Sequence, residues 1–235
     1  MQPSSQISTR RSAINAKGVK RDVIVIGASA GGVMALVELF AALPAGLPAS
    51  IGVVLHRSTS PGELVSVLGR RSLLPVIEPK DFSAMKRGVI YLAPADHHLL
   101  FENGGVILYR GPKEHSTRPA IDPLFRSAAA QYGKRVLGIL LTGGGEDGVS
   151  GLIAISQASG VTLAQDPDDA YMPYMPINAM RFDNVAGVFP LRDMAAVVTA
   201  LAKGHTVASR RRGGEMAQHR HLPRALPLRD GGREP

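Results

Sequence analysis

The sequence contains no cysteine and no tryptophan, and aromatic residues make up only 5% of its 235 positions. Without cysteine there are no disulfides, no thiolate catalysis and no cysteine-ligated metal, and a reducing cytoplasm is the simplest expected compartment. No run approaches the roughly 20 consecutive apolar residues of a membrane helix, so no membrane insertion is expected. The first twenty residues are polar and basic and lack the apolar stretch of a secretory signal. Acidic residues are also in deficit, with a formal net charge of +8. That excess sits at the ends. Residues 1–21 carry five basic residues and no acid, and residues 204–235 carry seven arginines against three acids. The segment between is balanced, with 15 basic and 16 acidic residues. A nucleic-acid-binding fold would carry its charge on a face or helix of the folded part, so no nucleic-acid partner is expected. The composition predicts disordered basic tails over 1–21 and 204–235 around one domain over 22–203.

What the chain does have is a substantial apolar fraction, 45%, together with 26 glycines and 17 prolines. Short β-branched runs alternate with helical patterns. Asp22-Val-Ile-Val-Ile26 reads as a strand buried on both faces, followed by the turn Gly27-Ala-Ser-Ala-Gly-Gly32 and a helix from Val33 to Leu43. Further strands are expected at 50–55, 75–78, 88–93, 135–141 and 160–164. Further helices are expected at 62–71 (with Ser60 as N-cap), 122–132 (with Asp122 as N-cap), 149–158 and 191–202. The segments 98–101 and 106–109, joined by Glu-Asn-Gly-Gly, read as a hairpin. Segment 165–176 is acidic and then rich in Met, Pro and Tyr. The alternation predicts an α/β fold. It is doubly wound, with a mainly parallel sheet, helices on both faces and a small antiparallel hairpin.

Functional loops of such sheets gather at the carboxyl ends of the strands. Three ends stand out: Ser29 after the first strand, His56 after the second, and Asp147 after the strand 135–141. A nucleophile, a base and an orienting acid on neighbouring strand ends are the parts of a hydrolytic triad. Gly27-Ala-Ser29-Ala-Gly31 fits G-x-S-x-G between strand and helix, a turn that lifts the hydroxyl out of the sheet edge. The helix that follows offers free N–H groups for an oxyanion, with Ala30 N–H the natural donor. A dinucleotide fingerprint would need glycine where Ser29 stands. Glu146 competes with Asp147 for the role of acid. Asp96-His97-His98 lacks a spaced third ligand and reads as the entry to the hairpin rather than a metal site. No metal and no cofactor is expected. The order Ser, His, Asp differs from the Ser, Asp, His of common α/β-hydrolases.

Six segments in order resemble the catalytic domain of the chemotaxis protein-glutamate methylesterases, the CheB family. They are the nucleophile turn around Ser29, Val-Val-Leu-His56, and Gly88-Val-Ile-Tyr-Leu-Ala-Pro-Ala-Asp-His-His-Leu. Then come His115-Ser-Thr-Arg118-Pro-Ala-Ile-Asp122-Pro-Leu-Phe, Thr142-Gly-Gly-Gly-Glu-Asp147-Gly, and Ala164-Gln-Asp-Pro with Met175-Pro-Ile-Asn-Ala. The resemblance covers about residues 22 to 202 and favours Asp147 over Glu146. It implies a cytoplasmic serine hydrolase that demethylates glutamate methyl esters on chemoreceptors and also deamidates glutamines, with no cofactor. It also implies a second oxyanion donor at Gly144, where the family commonly has Met; at Ala30 the family commonly has Thr. Only about 21 polar residues precede the first strand, so receiver-domain control is expected to be absent. Met172 and Met175 either line the substrate cleft or pack in the core. Two other functions stay open: a catalytically weak scaffold of a signalling array, and a hydrolase of small esters.

Overall fold

The computed structural model describes residues 13–15, 17–57, 63–80, 82–183 and 185–209. The central sheet is built from β2 (Val23–Ala28), β3 (Ser50–Leu55), β4 (Val76–Ile77), β6 (Ile90–Leu92), β9 (Val136–Leu140), β10 (Val161–Gln165) and β11 (Gly187–Phe189). All neighbours in it run parallel, in the order β11-β10-β9-β2-β3-β6-β4. Short β5 (Ser83–Ala84) extends the hairpin of β7 (His98–Glu102) and β8 (Gly105–Tyr109) into a three-stranded antiparallel sheet. This is the doubly wound, mainly parallel architecture that the alternating pattern predicts.

The strands of the parallel sheet are apolar on both faces because helices cover both. On β2, Ile24, Ile26 and Ala28 join the cluster formed with α1 (Gly32–Ala42), α2 (Leu64–Gly69) and α6 (Leu191–Ala202). Val23 and Val25 point the other way, into the cluster formed with α3 (Ile121–Tyr132), α4 (Val149–Gln157) and α5 (Tyr174–Phe182). Period-2 alternation thus feeds two cores from one strand. From β2 the chain winds outward through β3, then returns as β9 on the opposite side of β2. The switch point lies between β2 and β9, and the crevice above their carboxyl ends is where such folds bind ligands.

Several expectations are corrected. Ala13–Ile14 (β1) pairs antiparallel with Val207–Ala208 (β12), so ordered structure extends beyond 22–203 at both ends. The remainder of the two expected tails, residues 1–12 and 210–235, lies outside the described residues, as does the expected cap Ser60. The second helix begins only at Leu64. Ala120, not Asp122, caps α3, and the Asp122 side chain is buried inside the first turn. The stretch after residue 165 carries no expected element before the helix at 191. It leads into α5 and β11, which the Met-Pro-Tyr composition conceals because Pro173 and Pro176 sit at the cap and in the first turn of α5, positions a helix tolerates.

Candidate active site

Strand register brings the three sequence-distant residues together. Ala28 pairs with Leu55 and Gly27 with Leu140, so Ser29, His56 and the 141–147 loop all leave adjacent strands at one edge. The Ser29 N–H donates to the Thr142 carbonyl (2.9 Å) and the His56 N–H to the Ala28 carbonyl (3.0 Å), which carries the sheet bonding one residue past each strand. Gly31 then takes a left-handed φ of 78° as the cap of α1. A side chain is excluded there twice over, since a Cβ would lie 2.6 Å from Tyr171 Cβ.

The His56 ring bonds Asp147 Oδ2 through Nε2 at 2.7 Å. That leaves Nδ1 as the ring nitrogen available to Ser29, and among the described residues the Ser29 hydroxyl makes no hydrogen bond of its own. Asp147 is 2% exposed. Burial pushes its carboxyl up, but the bond from His56 and the N–H groups of Ile121 (2.7 Å) and Asp122 (3.0 Å) outweigh it and hold the group below the usual carboxylate range. The two N–H donors are the free first-turn amides of α3, so a helix N-terminus fixes the acid. Glu146 is exposed and, among the described residues, makes no such bonds.

Of the two expected oxyanion donors, the Ala30 and Gly144 N–H groups are unspent among the described residues, and both residues are exposed. Gly143, not Gly144, is the glycine pressed against Ser29. A Cβ on Gly143 would fall 2.7 Å from Ser29 Cβ and would also overlap Met175 Sδ. Its N–H and carbonyl are taken up by Met172 and Met175 (2.9 Å each). Met175 itself is fully buried, so of its two expected places it takes the core rather than the cleft: it is the floor under Gly143. Met172 is half-buried, and its Cγ is the atom nearest a Cβ built on Gly144, at 4.0 Å.

Several residues were missed by sequence reading. Thr142 is buried, and its hydroxyl donates to the Ala30 carbonyl (2.9 Å) and accepts from the Met172 N–H (2.8 Å). It ties the Ser29 turn, the 141–147 loop and the 172 segment into one knot, and Gln165 Oε1 in turn accepts its N–H (2.9 Å). His115 Nε2 donates to Asp122 Oδ2 at 3.0 Å, and Thr117 Oγ1 lies 3.5 Å from His56 Nε2. The loop around His115 had no periodicity to mark it. His98 opens β7, where the expected hairpin begins; it is buried, and its two ring nitrogens bond Pro112 O and Ala120 N. His115, Asp122 and Asp147 offer ligand atoms within 4.8 Å of one another, a spacing suited to a cation. All four of their carboxylate oxygens already face hydrogen-bond donors, so the cluster is a hydrogen-bonded network.

The family model described as CheB methylesterase matches residues 24–198. The chain belongs to that family. A protein-glutamate methylesterase/protein-glutamine glutaminase of Anaeromyxobacter dehalogenans is 37% identical over 83% of this chain and 57% of its own length. One from Pyrococcus abyssi is 34% identical over 87% of this chain and 55% of its own length. The CheB-family chain therefore spans about half the length of the curated relatives it matches. The crystal structure of the Thermotoga maritima CheB methylesterase catalytic domain superposes with a TM-score of 0.72 at 32% identity, over 77% of this chain and 98% of that one. No helix among the described residues is long and apolar enough to cross a membrane.

Proposed function

We propose that this CheB-family domain is a cytoplasmic serine hydrolase that demethylates glutamate methyl esters on chemoreceptors. The observation that carries the reading is the 2.7 Å bond between His56 and a buried Asp147, one strand away from a serine at the head of a helix. Ser29 Oγ attacks the ester carbonyl and its proton passes to His56, whose imidazolium is stabilised by Asp147. The Ala30 and Gly144 N–H groups receive the oxyanion. Collapse expels methanol with the proton from His56. Water then attacks the acyl-enzyme, with His56 again as base, and frees the glutamate side chain and Ser29. A glutamine side chain enters the same cycle with ammonia as leaving group. No step calls for a cofactor.

The surroundings favour a protein substrate over a small ester. Tyr171, 80% exposed, rests on Gly31 beside the nucleophile turn, and Met34, 73% exposed, lies in the first turn of α1. Large apolar side chains so open to solvent beside a reactive serine suit a docked protein segment. The test is methanol release from methylated chemoreceptor cytoplasmic fragments by the wild type and Ser29→Ala side by side. Release lost in the variant is the expected outcome. No release from the folded wild type would turn the reading toward a scaffold role.

A further inference from the structure

The turn at His115 and Ser116 is strained, and the strain has a destination. Both residues hold left-handed backbone, with φ of 49° and 61°. Two consecutive non-glycine residues in that region persist only where their surroundings over-determine them. Here they do. Glu114 and Thr117 exchange backbone hydrogen bonds (3.2 and 2.8 Å), and the Thr117 hydroxyl donates to the Glu114 carbonyl (3.1 Å). Arg126 donates to both Glu114 carboxylate oxygens (2.8 and 2.9 Å), and Arg118 anchors the loop to the Gly111 carbonyl (2.6 Å) and to Asp96.

What the strained turn delivers is a second imidazole to the acid side of the triad. His115 Nε2 lies 3.0 Å from Asp122 Oδ2 and 4.0 Å from Asp147 Oδ1. Asp122 and Asp147 are both nearly fully buried and adjacent in space. Asp147 is faced by His56 from the end of β3, by the Ile121 and Asp122 amides of α3, and by His115 from the loop. Asp122 is faced by His115, by the Gly151 N–H of α4 (2.6 Å), by Asp147, and by Arg126 on its own helix (4.0 Å). A plain surface turn would need neither the left-handed histidine nor its aim at a buried carboxylate.

We propose that His115 is a positioning residue for the triad. Through Asp122 it braces the Asp147 carboxylate from the side away from His56, so that the conformation of the 114–117 turn governs how well His56 is oriented. The inference rests on reading Ser29, His56 and Asp147 as a hydrolytic triad, and it adds an outer imidazole–carboxylate pair to it.

Two substitutions in the full chain separate the imidazole from the turn. His115→Asn suits the left-handed backbone but is too short to reach Asp122, whereas His115→Gln retains an N–H donor of similar reach. The readout without substrate is the downfield proton resonance of the His56–Asp147 bond. His115→Asn is expected to broaden it or shift it upfield while His115→Gln keeps it, at an unchanged Tm. In methanol release, His115→Asn should lower kcat about tenfold with KM held, as loss of a group that orients a ligating side chain does, and His115→Gln should restore most of it. A folded His115→Asn protein with wild-type resonance and wild-type kcat overturns the proposal, as does a wild type that shows no such resonance. A wild type that shows the resonance but releases no methanol refutes the methylesterase reading instead, and the resonance comparison between variants then decides this one.

Discussion

Asp147 shows what a single buried carboxylate needs to stay charged. Burial opposes its ionisation, and one imidazole and two helix-terminal amides overcome that opposition. Asp122, one shell out, ends on the other side of the balance: burial raises its carboxyl, the Gly151 N–H offsets part of this, and the Asp147 charge adds to the rise. Replacing Asp147 with Asn removes the charge behind His56 and leaves one oxygen for the two α3 amides, so the side-chain NH2 faces either the Ile121 or the Asp122 donor. By the pattern of hydrolytic triads, kcat should fall about 10³- to 10⁴-fold; steady-state methanol release with a parallel thermal melt checks it. The three candidate triad residues were legible as types at strand ends. Thr142, Thr117 and His115 were not, because a hydroxyl or imidazole in a loop carries no periodic signal and its partners lie 61 residues away for Thr117 and 30 for Thr142.

At the scale of elements, the glycine that needs the space in the glycine-rich turn between β9 and α4 is Gly143. Its neighbour Gly144 has only Met172 Cγ at 4.0 Å. Gly143→Ala would drive a methyl group into Ser29 and Met175, and overpacking of this kind costs about 1–3 kcal/mol. The expected outcome is a lower urea midpoint together with a lower kcat. Gly144→Ala, made beside it, should change stability by less than about 0.5 kcal/mol. The Met172 and Met175 pair divides for a geometric reason: Met175 lies in α5 with its side chain turned into the core, whereas Met172 precedes the helix. Neighbouring methionines in a Met-Pro-Tyr run look alike until the helix start is known.

Across the whole molecule, the amino ends of the strands are tied by a charge cluster remote from the site. Asp22, at the start of β2, accepts from Arg135 (2.7 and 3.0 Å), just before β9, and from Arg87 (2.8 Å), ahead of β6. Burial pushes the Asp22 carboxyl up and the two guanidiniums outweigh it, so its folded pKa lies below the ordinary value of 3.8. A depressed carboxylate contributes stability above its unfolded pKa, and this is lost as pH falls through the folded pKa. Asp22→Asn should therefore cost about 2 kcal/mol near neutral pH, as lost hydrogen bonds to a charged group do. Urea unfolding at pH 7 and pH 3 should show the gap between variant and wild type closing at the acid end. The opposite edge carries the exposed Tyr171 and Met34. Replacing both with Ala should raise KM for a methylated receptor fragment several-fold and leave kcat and Tm near wild type, which a substrate titration would reveal.

The sequence by itself determined the parallel α/β architecture, because β-branched runs buried on both faces and separated by helical patterns have few other ways to bury their apolar surface. It also determined the chemical types at the strand ends. Only the tertiary structure decided strand order, and with it the meeting of residues 29, 56 and 147 at the β2–β9 switch point. It alone decided which amides were spent and which left free, which methionine was core, and that β1 and β12 close the domain beyond its apparent ends. Each of these depends on contacts between segments far apart in the chain, where neither local propensity nor period carries information.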